Sequence, residues 1–202
     1  MSLSLIVADS ETTNLDPNVG DVIELAFLNI SNGESKNWFL KPLNPDGIDP
    51  GALKVNGAKL ADLLWQTEEG KEKYKDPIET LPEIENWLND NCGSNIYNRV
   101  LVGHNIQFDQ NYMLSLWKKC NAMDTFPFNK YSSLLCTKQL TILYDYLNGT
   151  KSVKYNLESC IKKFGINNKK FNFHSALDDV FGTKCLFDEL VKKLKRNDTS
   201  AS

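Results

Sequence analysis

The amino-acid sequence predicts an α/β fold in which a mixed five-stranded sheet is flanked by helices. Residues 3–9 form a short continuous apolar run, the pattern of a buried central strand. Two β-rich segments follow closely at 21–31 and 35–42, with turn residues between them, which is typical of an antiparallel meander. From residue 78 onward helical and strand patterns alternate, which favours a sheet with helices on its faces.

The remaining elements follow from periodicity and from breakers. Residues 44–51 are rich in Pro, Gly and Asp and predict a loop. Residues 52–64 have a helical pattern that Asn56-Gly57 interrupts, and the polar stretch 66–77 is expected to be a solvated loop. Later strands are expected at 99–104 and 133–137, and later helices at 78–92, 107–120, 138–147, 156–166 and 174–196.

Length and composition indicate one domain with an ample core. The chain has 202 residues, of which 41% are hydrophobic and 24% charged, with a formal net charge of −3. We therefore expect one domain over residues 1–196 and a disordered tail over 197–202. No apolar stretch is long enough to cross a bilayer and no secretory signal is visible, so no membrane association is expected. Five dispersed cysteines without CxxC spacing predict reduced, buried thiols and a cytoplasmic location.

Two carboxylates follow the first apolar run, in the stretch VADSETTNLDP at residues 7–17. Asp9 and Glu11 are two residues apart, so on a strand they point to the same side. Two like charges in one place are unfavourable unless a cation lies between them, and Mg²⁺ or Mn²⁺ prefers such oxygen ligands. From these residues alone, a strand end that turns into a capped loop is the more ordinary interpretation.

Two further clusters contain both histidines of the chain. VGHNIQFDQ at residues 102–110 leads from a strand into a helix, with Asp109 in the first helical turn. That carboxylate can be a helix-dipole partner, and His104 can bond to backbone. HSALDDV at residues 174–180 opens the last helix, where five residues separate His174 from Asp179. They do not share a helix face, so His174 must approach from the loop or first turn while Asp179 projects from the helix.

Read in order, the clusters are Asp-x-Glu-Thr-Thr, His-Asn-x-x-Phe-Asp and His-x-Ala-x-x-Asp. This set resembles the DEDDh (DnaQ-like) 3′–5′ exonuclease family over essentially the whole chain. The resemblance implies an RNase H-like fold and two Mg²⁺ or Mn²⁺ ions around a phosphodiester. It also implies a set of site residues. The metal ligands and catalytic acids are Asp9, Glu11, Asp109 and Asp179, the general base is His174, and the substrate-binding residues are Thr12, Thr13, Asn56, His104 and Phe108.

Two positions depart from the family pattern. The family commonly has Gly after the second Thr, where this chain has Asn14. Asn is the non-glycine residue that best tolerates left-handed backbone, so the turn is expected to be retained. Many relatives carry His where Asn56 stands, which leaves the role of Asn56 open. Asp178 adjoins the proposed ligand Asp179, but the motif spacing selects Asp179.

The resemblance predicts an enzyme that releases nucleoside 5′-monophosphates from 3′ ends, most simply of single-stranded DNA. An exonuclease that trims RNA or short oligonucleotides is the alternative within the same class. A binding module that has lost its chemistry is the alternative of another class, and the complete set of acids with His174 argues against it. The partner is therefore a nucleic-acid 3′ end, with DNA favoured over RNA. A polymerase or a second copy of the chain as a protein partner stays open.

Overall fold

The computed structural model describes residues 3–129 and 134–197, and a five-stranded sheet lies at its centre. The strand order is β3-β2-β1-β4-β5. The strands are β1 (Ser4–Thr12), β2 (Val22–Asn29), β3 (Ser35–Phe39), β4 (Arg99–Gly103) and β5 (Leu135–Cys136). β2 is antiparallel to β1 and β3, whereas β4 is parallel to β1 and β5. The predicted mixed five-stranded sheet is confirmed.

Eight α-helices surround this sheet within the described residues. They are α1 (Pro50–Asn56), α2 (Leu60–Leu63), α3 (Glu68–Lys73), α4 (Pro77–Cys92), α5 (Gln107–Lys119), α6 (Thr137–Leu147), α7 (Leu157–Lys163) and α8 (Ala176–Asn197). Gly57 ends α1 with a φ of 70°, as the Asn56-Gly57 break predicts. The predicted strand at 133–137 and the predicted tail at 197–202 fall partly outside the described residues, which lack Ser133 and residues 198–202.

The prediction that residues 66–77 form a loop is wrong over α3. The Thr67 side chain accepts a hydrogen bond from Gly70 N (2.9 Å) and donates one to Asp62 Oδ1 (2.5 Å). This cap starts a helix on a polar sequence, and Gly70 lets α3 approach α2 closely, since a Cβ there would lie 2.2 Å from Asp62 O. A tertiary contact therefore stabilises a segment that has little apolar periodicity of its own.

Alternate residues of β1 face two different cores. Ile6 and Ala8 pack with α4 and α5 on one face, whereas Val7 packs with Ala176 and Val180 of α8 on the other. Asp9 and Glu11 continue the Val7 side of the strand. The sheet therefore places both carboxylates on the face that α8 covers.

The cysteines of the chain are free thiols. Cys92, Cys136 and Cys160 are buried, but Cys120 and Cys185 are only half-buried, so the expectation of buried thiols is wrong for those two. In the described part of the chain, no helix is both long and apolar enough to span a bilayer.

Candidate metal centre

Asp9 lies inside β1, as the apolar run over residues 3–9 predicts, but β1 continues to Thr12 and also contains Glu11. The antiparallel ladder to β2 continues as far as Thr12 and places Glu11 opposite Glu24, with an irregularity in the register between Glu11 and Thr12. Both carboxylates are consequently held by a rigid central strand.

Asp179 joins these two acids from α8. One ligand oxygen from each of Asp9, Glu11 and Asp179 lies within 4.8 Å of the others. Asp179 Oδ2 accepts a hydrogen bond from His174 N at 3.3 Å. Asp179 Oδ1 is buried and has no hydrogen-bond partner among the described residues, which is unusual for a buried carboxylate oxygen.

Asp109 reaches the same region from the first turn of α5 and is 4% exposed. The parallel ladder between β1 and β4 ends at the pair Val7–Val102, so the amide of Ser10 is available for another acceptor. Ser10 N and Ser10 Oγ both donate to Asp109 Oδ1, at 2.9 and 2.7 Å. Asp109 is therefore anchored to the backbone between Asp9 and Glu11. We call Asp9, Glu11, Asp109 and Asp179 the carboxylate centre.

Burial and mutual repulsion hold protons on the β1 acids. Burial, followed by the charges of Asp109 and Asp179, raises the pKa of Asp9 well above its ordinary value. Burial, followed by the charges of Asp179 and Glu24, raises the pKa of Glu11 to about 8. Without a cation, these groups cannot all be ionised near neutral pH.

The pKa values of Asp109 and Asp179, the two acids on helices, are also raised, although neighbouring groups partly oppose the rise. Burial raises the pKa of Asp109 to about 7, although the hydrogen bonds from Ser10 oppose the rise. Burial raises the pKa of Asp179 to about 6, although the amide and the charge of His174 oppose the rise. All four members of the carboxylate centre thus have raised pKa values.

Two residues that sequence reasoning missed support this centre. Ser10 anchors Asp109, and no pattern distinguishes it from any other serine in a strand. Glu24 is 7% exposed and accepts a hydrogen bond from Asn37 Nδ2 at 2.9 Å. Glu24 is the one acidic residue of β2, in which the residues from Val22 to Leu28 are otherwise apolar, and that contrast was the available signal.

The threonines after Glu11 are buried and bonded within the protein. Thr12 O accepts a hydrogen bond from Asn56 Nδ2 (3.1 Å), and Thr13 O accepts one from Asp49 N (2.7 Å). Asn56 therefore ties the end of α1 to the end of β1. A role in substrate binding stays a prediction for all three of Thr12, Thr13 and Asn56.

Asn14 retains the turn by a different means from the one expected. The non-glycine residues with positive φ in the described chain are Trp65, Asn105, Asn121 and His174, so left-handed backbone at Asn14 is wrong. Instead, Asn14 Oδ1 accepts a hydrogen bond from Leu15 N at 2.8 Å. Its Nδ2 donates to Gly47 O at 3.1 Å, which fixes the turn through the side chain.

His104 and Phe108 make internal contacts. Nε2 of His104 donates to Tyr155 O (2.7 Å), and Nδ1 lies 2.9 Å from Thr137 Oγ1. Phe108 is half-buried against the core, with its ring centroid 4.8 Å from that of Tyr112. The structure thus uses both ring nitrogens of His104 to join β4, α6 and the loop before α7. Contact of His104 or Phe108 with substrate stays a prediction.

His174 is exposed and lies in the loop two residues before α8, whereas the sequence predicts a helix from residue 174 and leaves loop and first turn open for this residue. Its φ is 74°, a left-handed conformation that is uncommon outside glycine. The imidazole makes no hydrogen bond to any described residue, so its nitrogens are available to water or substrate. The left-handed backbone at His174 thus keeps the imidazole near Asp179, where it makes no hydrogen bond that stabilises the described fold.

The donor set fits a hard divalent cation. Asp9, Glu11 and Asp179 offer oxygens close enough to share one ion, and Asp179 Oδ1 lacks any other partner among the described residues. Asp109 lies close enough to raise the pKa values of both Asp9 and Glu11. Mg²⁺ or Mn²⁺ would relieve a repulsion that the described protein groups leave uncompensated.

Comparison with known proteins identifies the family of this chain. Residues 6–187 match the family model RNase_T, described as an exonuclease. The chain is 28% identical over 195 residues to DNA polymerase III PolC-type of Thermotoga maritima, a match that covers 96% of this chain but 12% of that protein. It is 27% identical to Ribonuclease T of Blochmanniella pennsylvanica, covering 95% of this chain and 85% of the relative.

Solved structures show the same fold. The zinc-ion-bound form of an E. coli ExoI–ssDNA complex has a TM-score of 0.73 and 18% identity, and covers 97% of this chain. E. coli Exonuclease I in complex with a 5cy-dA13 oligonucleotide has a TM-score of 0.71. The chain spans 42% of the ExoI chain and 12% of the polymerase relative, so each of those proteins has further regions beyond the matched one.

Proposed function

We propose that this chain, which belongs to the RNase_T exonuclease family, removes nucleoside 5′-monophosphates from 3′ ends of single-stranded DNA. The observation that carries the proposal is the carboxylate centre, with the partnerless Asp179 Oδ1 beside Asp9 and Glu11 in the described structure. The family match agrees with the predicted DEDDh resemblance, and the choice of substrate and the number of metal ions are part of the proposal.

Asp9, Glu11, Asp109 and Asp179 would hold two Mg²⁺ or Mn²⁺ ions. Such ions, when bound, polarise a phosphodiester and lower the pKa of water. Ser10 keeps Asp109 fixed through two hydrogen bonds, so the centre does not have to reorganise when substrate enters.

His174 takes the proton from the attacking water in this proposal. Its exposed ring is free of hydrogen bonds to the described residues, and its amide is bonded to Asp179 Oδ2, which places the base next to the centre. Histidine is the side chain that most often serves as a general base in catalysis.

Single-stranded ends are favoured over blunt duplex for a physical reason. A paired end must fray before its last phosphodiester reaches the buried centre, and opening each pair costs about 1–2 kcal/mol. The second candidate is an exonuclease that acts on RNA, which the similarity to Ribonuclease T favours.

End-labelled DNA and RNA oligonucleotides, single- and double-stranded, would test the proposal with Mg²⁺, Mn²⁺ or EDTA. We expect stepwise shortening from the 3′ end, fastest on single-stranded DNA, and none in EDTA. A covalently closed single-stranded circle is the control, and its cleavage would show an endonuclease and contradict the proposal. Faster shortening of RNA than of DNA would select the second candidate.

A further inference from the structure

A separate cleft of about 480 Å³, with both polar and apolar lining residues, lies beside the ends of β4 and β5. Its walls come from the loop after β4, the first turn of α6 and the loop before α7. They include His104, Asn105, Lys138, Lys154, Tyr155 and Asn156. Neighbouring strands are about 4.8 Å apart, and β4 adjoins β1, so the cleft begins about 5–10 Å to the side of Asp9 and Glu11.

The walls of this cleft are fixed by hydrogen bonds. Tyr155 O accepts a hydrogen bond from Nε2 of His104 at 2.7 Å, which joins the loop before α7 to the end of β4. The hydroxyl of the same tyrosine donates to Asp145 Oδ2 at 3.0 Å, which joins the loop to α6. The cleft is therefore preformed, which lowers the entropic cost of binding.

The charge of the cleft is positive. Lys138 and Lys154 line it, none of its described lining residues is acidic, and neither lysine is within salt-bridge distance of an acid in the described chain. Glu158 of α7 lies close enough to Lys154 for the lysine to lower its pKa, but the Glu158 carboxylate is paired with Lys162. An adjoining pocket of about 370 Å³ adds Lys151 and Lys163, of which Lys163 is paired with Asp145. Unpaired ammonium groups in a concave site concentrate a positive potential there, although the chain as a whole carries a net charge of −3.

We infer that this cleft binds backbone phosphates of the nucleic-acid strand whose 3′ end lies in the carboxylate centre. The inference rests on the proposed function and extends it to the path of the strand. On the opposite, β2 side of the centre, the pocket beside Glu24 has only about 50 Å³, too little for a nucleotide. The cleft by β4 and β5 is larger, it is lined by two lysines, and the side-chain amides of Asn105 and Asn156 can donate hydrogen bonds to phosphate oxygens.

The test is a double substitution, Lys138→Gln with Lys154→Gln. Binding of a 5′-labelled oligothymidylate dodecamer is measured by fluorescence anisotropy over a series of salt concentrations. We expect weaker binding, and a slope of log K against log salt that is shallower by about 0.7 for each phosphate that the variant no longer neutralises. In steady-state cleavage, KM for the dodecamer should rise with little change in kcat.

The matched control is Lys118→Gln with Lys192→Gln, which removes the same charge at the far ends of α5 and α8. Equal weakening in the control would indicate a general charge effect and overturn the inference. Unchanged affinity and salt slope in the Lys138 and Lys154 double variant would also overturn it.

Two further outcomes would contradict a strand-binding cleft. An equal loss of activity on the p-nitrophenyl ester of thymidine 5′-monophosphate would place the lysines in the carboxylate centre, because that substrate has no upstream phosphates. Tight binding of inorganic phosphate, with no dependence of oligonucleotide affinity on length, would indicate a free-anion site. If the native chain cleaves no oligonucleotide, the proposed function fails, and the anisotropy measurement still decides the cleft because it needs no cleavage.

Discussion

Asp145 and the carboxylate centre are both buried acidic sites, but their surroundings are opposite. Asp145 is 2% exposed and accepts hydrogen bonds from the side chains of Thr150, Ser152, Tyr155 and Lys163. Burial alone would raise the pKa of Asp145, but these four donors outweigh burial and lower it below its ordinary value. Asp145 is a satisfied structural anion that holds the loop after α6.

The carboxylate centre gathers four acids, none of which forms a salt bridge with a lysine or arginine of the described chain, and the charge of His174 opposes the rise in pKa only at Asp179. Asp109 is 4% exposed, and its carboxylate accepts hydrogen bonds only from the amide and hydroxyl of Ser10 among the described residues. The charged group that acts on its pKa is another carboxylate, Asp179. Asp179 Oδ1 has no partner in the described part of the chain. Burial of an acid therefore does not identify a functional site in this protein. The number of hydrogen-bond and ion-pair donors distinguishes Asp145, which stabilises the fold, from the carboxylate centre, for which we propose a bound cation.

The largest expected effect comes from Asp179→Asn or Asp9→Asn. Either change removes a proposed metal ligand, so 3′–5′ cleavage should fall to background while the protein stays folded. The free energy of unfolding should be unchanged or higher, because one repelling charge is lost. Cleavage of an end-labelled oligonucleotide and chemical denaturation would measure the two quantities.

Asp178→Asn is the matched control for this prediction. Asp178 Oδ2 accepts a hydrogen bond from Asn172 N at 3.1 Å, which ties the loop before α8 to the helix. We expect only a mild loss of activity. A loss as severe as that of Asp179→Asn would show that the wrong neighbour has been assigned as ligand.

His174→Ala should lower the rate of cleavage by about 10²–10⁴-fold, the usual contribution of a general base. Mn²⁺ binding should persist, because the imidazole is assigned to water and not to metal. Isothermal titration calorimetry would separate the two roles. Loss of Mn²⁺ binding would make His174 a ligand.

Asp145→Ala should show the reverse pattern. It leaves Lys163 and three hydroxyl donors without their acceptor, so we expect a loss of about 3 kcal/mol in the free energy of unfolding. Folded protein should keep most of its kcat, since Asp145 touches no member of the carboxylate centre. A stability equal to that of the native chain would contradict the contrast between the two sites.

The contributions of the carboxylate centre and of Asp145 to the free energy of unfolding should change with pH in opposite directions. The members of the carboxylate centre have raised pKa values, so the folded state binds more protons than the unfolded state. Their contribution to stability in EDTA should therefore fall as pH rises from about 4 to about 8. Asp145 has a lowered pKa, so its stabilisation is present above about pH 4 and is lost as pH falls further.

Thermal unfolding of the native chain and of Asp145→Asn, with EDTA or Mn²⁺, would measure these trends. Mn²⁺ should raise the melting temperature more at high pH than at low pH, because cations compete with protons for the same oxygens. The Asp145→Asn protein should lose its excess sensitivity to acid. If Mn²⁺ raised the melting temperature by the same amount at every pH, the raised pKa values of the carboxylate centre would be contradicted.

Prediction from sequence succeeded where local pattern is decisive. The alternation of a strand puts Asp9 and Glu11 on one side, and five-residue spacing puts His174 and Asp179 on different faces, with His174 in the loop or first turn. The helix over residues 68–73 was missed because Thr67, Asp62 and Gly70 create it through contacts between two elements. Asn14 was misjudged for a related reason, since its side chain bonds to Gly47, 33 residues away.

The ordered motifs, through their resemblance to a known family, were enough to predict the family, and strand alternation predicted that Asp9 and Glu11 lie together. The packed fold was needed to show how those acids are satisfied. Ser10 bonds to Asp109 across 99 residues, and Glu24 faces Glu11 through the register of β1 and β2. Hydrogen bonds between distant residues have no local sequence pattern, so only the three-dimensional arrangement reveals that Asp145 is neutralised and that Asp179 Oδ1 has no partner among the described residues.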